Sequence, residues 1–114
     1  MRFDWKYLMG ETPSKTVSRG SFLKFPDRSW NDAVVVLMVC EWVGDSNCYH
    51  SLVRLCGSKG GINPLQLIPN SAFGPGEALD VGWLVRNWNN WVWLESDPAS
   101  VEICYGPVSC ECFE

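Results

Sequence analysis

Leu79-Asp-Val-Gly-Trp-Leu-Val-Arg-Asn-Trp-Asn-Asn-Trp-Val-Trp-Leu94 holds four of the seven tryptophans in the chain. Val81, Leu84, Trp88 and Trp91 recur at intervals of three and four, the spacing that lines one face of an α-helix. Asp80 stands at the N-cap position, so the helix is expected to run from there to about Trp91. Trp83 falls off the stripe, and Trp91-Val-Trp-Leu94 leaves the helical period for period two, as a short strand to Glu95 would. This is more aromatic surface than one face of a short helix needs. Part of it is expected in the core and part against a partner.

Outward from the helix, the flanking sequence reads as strands. Ala33 to Val43 is apolar on both faces and β-branched, which suits a central strand. Gly44-Asp-Ser-Asn47 supplies turn residues, and Cys48 to Cys56 follows as the partner of a hairpin. Gly20 to Phe25 reads as a strand ended by the turn dipeptide Pro26-Asp27. Phe3, Trp5 and Tyr7 alternate like a short strand. Ile62 to Ile68, with Pro64 near its start, and Val101 to Tyr105 complete the set. Strands first, then one helix, then a returning strand define an α+β domain: an antiparallel β-sheet of about five to six strands with one main α-helix packed on one face. A chain of 114 residues makes one domain over 1–114, with 1–18 as an N-terminal extension or edge strand and 107–114 as a cysteine-containing tail.

Composition narrows the class. With 46% hydrophobic and 19% charged residues, the chain is a globule and not a disordered segment. The longest apolar run, Ala33 to Cys40, falls far short of the ~20 residues a membrane helix needs. Charged residues near the start leave no room for the apolar region of a signal peptide, so a cytoplasmic location is expected. Residues 1–28 carry six Lys/Arg against three Asp/Glu, whereas residues 77–114 carry Arg86 alone against seven acids. That acidic third disfavours nucleic acid and suits a basic protein partner through electrostatic steering; a solvated acidic face kept for solubility is the plainer alternative.

Catalytic and metal chemistry find little footing. Six cysteines (Cys40, Cys48, Cys56, Cys104, Cys110, Cys112) include no CxxC pair, and His50 is the single histidine, so the usual zinc patterns cannot form. Reduced thiols acting as small hydrophobes are expected. Cys48 and His50 share a strand face but have no evident acid to orient them, and catalysis is not expected there. Gly57-Ser-Lys-Gly-Gly61 lacks the P-loop spacing and leads into a strand, so it reads as a turn. Neither a cofactor nor a metal is expected.

Three segments carry a resemblance: Arg19-Gly-Ser-Phe-Leu23, Pro26 to Trp30, and Pro75-Gly-Glu77 followed by Trp83 to Trp91. With Gly61, Asn63, Pro69, Asn87 and Trp88 they give the spacings RGS-L--P---W and G-N-----P-----PGE-----W---NW--W. In these residues the chain resembles a family of small immunity proteins of bacterial polymorphic toxin systems, over about residues 18–106. The resemblance implies a protein that binds and neutralises a cognate toxin without catalysis, as a monomer or small homo-oligomer. It assigns no toxin-contact residues. Those come from the aromatic and acidic pattern: Trp91, Trp93, Glu95, Asp97 and Glu102 combine hot-spot side chains with carboxylates. The alternative is a small ligand-binding module that stacks exposed tryptophans on a carbohydrate.

Overall fold

The computed structural model describes residues 3–27, 33–41, 48–55, 64–69, 79–94 and 96–107, with the backbone alone at 41, 48–50 and 64–69. Six strands form one sheet: β1 (Lys6–Tyr7), β2 (Phe22–Asp27), β3 (Ala33–Glu41), β4 (Cys48–Arg54), β5 (Pro64–Pro69) and β6 (Glu102–Cys104). Their order is β1-β6-β2-β3-β4-β5, and every pairing is antiparallel. The meander β2 to β5 follows chain order. Between β5 and β6 comes α1 (Val81–Asn87), after which β6 pairs with the free flank of β2 and takes β1 on its outer side. The architecture is the expected α+β sheet with one main helix.

β3 is central, as its apolar character implies, but its two faces differ. Val35, Leu37 and Val39 are fully buried, whereas Val34 on the opposite face is 58% exposed and Val36, Met38 and Cys40 are half-buried. The core lies on one side of the sheet. There Leu23 and Phe25 of β2, Leu52 of β4 and Ile103 of β6 join the three β3 residues beneath Val81, Leu84, Trp88 and Val92. The Trp88 ring meets Phe25 edge-on, centroids 5.1 Å apart at 88°, a favoured aromatic geometry.

Two strand ends depart from expectation. β2 continues through Pro26 and Asp27, which pair with Val34 and Ala33. Val39 N–H donates to Ser21 O at 2.9 Å, so the odd residues of β2 make the hydrogen-bonded pairs with β3 and the even ones point to the other flank. β6 stops opposite Lys24 on that flank. Pro26 therefore lacks an N–H where no strand would receive it. The expected strand at Trp91 to Glu95 is absent, because Trp91 and Val92 belong to a π-helical turn. Proline at both ends of β5 suits an edge strand.

The N-terminal segment is built into the fold rather than appended to it. Leu8 is fully buried and its N–H donates to Val101 O at 2.9 Å. Phe3 stands edge-on to Phe22 at 5.5 Å. Arg19-Gly20-Ser21 closes on the far end of the chain. Gly20 has φ of +83°, a left-handed conformation that favours glycine, and a Cβ there would come within 3.1 Å of Pro107 Cα. Ser18 Oγ donates to Gly106 O at 2.7 Å, and Gly106 N–H donates to Ser21 Oγ at 2.9 Å.

Candidate functional site

The helix that carries the aromatic cluster is held at its start by the Pro13–Lys15 segment and by its own cap, Asp80. A helix begins with four N–H groups that lack a partner within it or bond only at its first turn. Val81 N–H donates to Lys15 O at 3.0 Å, Gly82 N–H to Pro13 O at 2.9 Å, and Leu84 N–H to Asp80 O at 3.3 Å. Trp83 N–H donates to Asp80 Oδ1 at 2.7 Å, which confirms Asp80 as the N-cap. Every donor of the first turn is thus taken, and the helix start is tied to the N-terminal segment. Val81, Leu84 and Trp88 are buried as their spacing predicts.

Beyond Asn87 the helix widens. Trp88–Val92 is a π-helical turn, closed by Trp93 N–H donating to Trp88 O at 2.8 Å, an i to i−5 bond. The extra residue in that turn shifts the register of the buried stripe. Val92, 7% exposed, takes the place above Trp88, and Trp91 swings out to 40% exposure. Trp91 does not hang free, since its ring lies 6.4 Å from that of Trp83. Trp83, off the stripe by helical spacing, is nonetheless buried and underlies the exposed indole.

The other candidate residues spread out from this point. Trp93 turns inward, its ring 5.3 Å from Phe25 and 5.9 Å from the Arg54 guanidinium, and packs on the margin of the core. Asp97 is exposed and its carboxylate accepts from Ala99 N–H at 2.9 Å, capping the short 3-10 turn Pro98–Ser100. Glu102 lies 3.7 Å from Lys24, and alternation with buried Ile103 turns it to the sheet face away from the helix. Glu95 lies outside the described residues, as do Cys56, Cys110, Cys112, the 57–61 turn and the side chains of Cys48 and His50. Of these candidates Trp91 and Asp97 are exposed, Trp93 packs against the core, and Glu102 pairs with Lys24 on the other sheet face.

Two contributors escaped the sequence reading. Leu94, three residues after Trp91, is 74% exposed. Asn89 holds the following loop: its Nδ2 donates to Trp93 O at 3.1 Å, Leu94 O at 3.3 Å and Ser96 O at 2.6 Å. An asparagine inside a tryptophan-rich helix is the one signal of this role, since its amide offers two donors to nearby carbonyls. Among the described residues no group of three potential metal ligands forms, and no helix is long and apolar enough to cross a membrane. Cys40 and Cys104 are free thiols; burial pushes the Cys40 thiol above its ordinary pKa, the opposite of what activates a nucleophile.

Among the described tryptophans, then, Trp91 alone is exposed, and its ring packs against that of Trp83. The model of the family described as Immunity protein 45 matches residues 9–103. The chain belongs to that family of immunity proteins, which implies an immunity function and a protein partner. No curated protein and no solved structure matches it.

Proposed function

We propose that the protein binds and neutralises a cognate bacterial toxin by direct contact, without catalysis, and that Trp91 is the anchor of the interface. Family membership supports the toxin as the partner class. The observation that carries the site is the exposure of Trp91 on Trp83 at the π-turn. Leu94 widens the apolar patch, and Trp93 keeps the underlying loop in place. Asp97 at its margin, with Glu95 between them in sequence, supplies negative charge that attracts a basic toxin surface. Glu102 contributes to the same field from the far face. Burying an indole held by a second indole costs little conformational entropy on binding, which favours a slow dissociation rate.

The test is co-expression and kinetics. A toxin domain, to be sought in the reading frame upstream, is expected to arrest growth alone and not beside this protein, and the purified pair is expected to form a stable complex. Absence of a complex at micromolar concentrations, with the toxin still active beside the protein, would overturn the proposal.

A further inference from the structure

A cleft of about 170 Å³ opens between the N-terminal segment and the exposed flank of α1. Met9, Glu11 and Pro13 line it from the N-terminal segment, and Gly82, Val85 and Arg86 from the helix. A cavity of about 150 Å³ holds a benzene ring, so the space suits one large apolar side chain. Gly82 keeps it open at the helix: a Cβ there would come within 3.2 Å of Pro13 Cβ and 2.9 Å of Arg86 Nη1. The Arg86 guanidinium thus lies directly over the helix backbone at the cleft.

The two charges lining the cleft are not equivalent. Glu11 stands 3.8 Å from Lys15, whose ammonium in turn lies 4.2 Å from the centre of the Tyr105 ring. Burial raises the Tyr105 hydroxyl above its ordinary pKa, with the nearby Glu11 carboxylate adding to the shift, and Lys15 is the cation that already pairs with that carboxylate. Arg86 has no ion pair among the described residues, and it is the single Lys/Arg in residues 77–114, where seven acids stand. The open valence of the cleft is for an anion. The helix start does not compete for it, because its N–H groups are already bonded to Pro13, Lys15 and Asp80.

We infer that this cleft is a second contact point for the toxin, receiving an apolar side chain that stands next to a carboxylate, with the carboxylate paired to Arg86. The inference rests on the toxin-binding function proposed above. Arginine presents a planar fork to a carboxylate and is enriched at protein interfaces. Arg86 also stands three residues beyond Trp83, a neighbouring position on the helix surface. The cleft and the Trp91 anchor therefore adjoin along one flank of α1, and Met9, 56% exposed, adds to the apolar lining. A toxin surface that fits both is basic opposite Asp97 and carries one acid opposite Arg86.

Arg86→Glu and Met9→Glu, both at exposed positions, test this with the purified upstream toxin domain as the probe. Each variant is expected to keep the wild-type melting curve and to weaken binding at least about tenfold, mostly through faster dissociation. One Asp or Glu of the toxin changed to Lys is expected to restore affinity to Arg86→Glu. Binding of both variants within about twofold of a wild type that does bind would remove the cleft and leave the toxin-binding function standing. Failure of every acid-to-Lys change to rescue would remove the paired carboxylate. A wild-type dimer in sedimentation, lost in Arg86→Glu, would assign the cleft to a second copy of this chain and overturn the inference. A wild type that does not bind the toxin at all would remove both proposals.

Discussion

The indole of Trp88 donates through Nε1 to Ser96 Oγ at 2.6 Å, with both residues buried. One bond thus joins the helix end to the loop that leads into β6, beneath the exposed Trp91. A buried indole N–H needs a partner, and here the partner is a serine eight residues on. Trp88→Ala is expected to cost about 3–5 kcal/mol as a large-to-small core change. Ser96→Ala leaves the indole N–H unsatisfied and is expected to cost about 1–3 kcal/mol. Urea denaturation of the two variants and the double variant checks both values. A double variant no worse than Trp88→Ala alone would show that the serine matters only through the indole.

Trp91 gives the opposite pattern. Its ring is exposed and touches Trp83 from outside, so Trp91→Ala is expected to change stability by less than about 1 kcal/mol. Binding to the toxin is expected to weaken by at least about 2 kcal/mol, roughly thirtyfold in Kd. A melt and a binding isotherm on the same preparation separate the two effects. Equal affinity for the variant would exclude the indole as the anchor.

Neutralising the margin tests steering. Because Asp97 caps Pro98–Ser100, Asp97→Asn is the apt change, since it keeps a side-chain acceptor while removing the charge. Combined with Glu95→Gln it is expected to lower the association rate at low salt by about threefold or more and to flatten its salt dependence, with dissociation little changed. Stopped-flow at two ionic strengths reads both quantities.

Gly20→Ala forces a side chain into a left-handed conformation and against Pro107. A cost of about 1–3 kcal/mol is expected, checked by thermal denaturation. Because Ser18 and Ser21 bond Gly106 on either side of this position, the loss should also loosen protection of the Gly106 amide in hydrogen exchange.

Intact mass after unfolding in alkylating agent without reductant is expected to show all six cysteines labelled. In the folded protein Cys40 is expected to react more slowly than a peptide thiol at neutral pH. Burial raises its pKa, so the thiolate fraction is low and the rate climbs as pH rises. Fast labelling at neutral pH would contradict the burial.

The helix was legible because its signals are local: Asp80 to cap it and Val81, Leu84 and Trp88 at the right spacing. Spacing alone puts Trp91 on the same stripe, since the sequence shows no sign of the wider turn that moves Val92 into its place. The turn goes with the packing of Trp93 on Phe25, a tertiary contact that local spacing does not show. Pro26 misled for a related reason. Its turn signal is local, while its tolerance in β2 depends on where β6, some seventy-five positions later, happens to end. The isolation of Glu102 from Trp91 likewise follows from sheet alternation, visible once Ile103 is known to face the helix. Arg86 and Asn89 look like ordinary polar helix residues until their neighbours from distant segments are in place.

The pairing of β6 into the flank of β2 has a consequence for how the protein comes into being. During synthesis β2 to β5 can pair as each strand emerges, yet one flank of β2 remains an open edge until Glu102–Cys104 has left the ribosome. Leu8 must also wait for Val101, and Ser18 for Gly106, 88 positions away. Contacts so distant in sequence form slowly and late, and an uncovered edge in the interval invites association with other strands. A chain interrupted before its last tenth is therefore not a weaker protein but a sticky one, whose open edge invites aggregation in place of the closed fold.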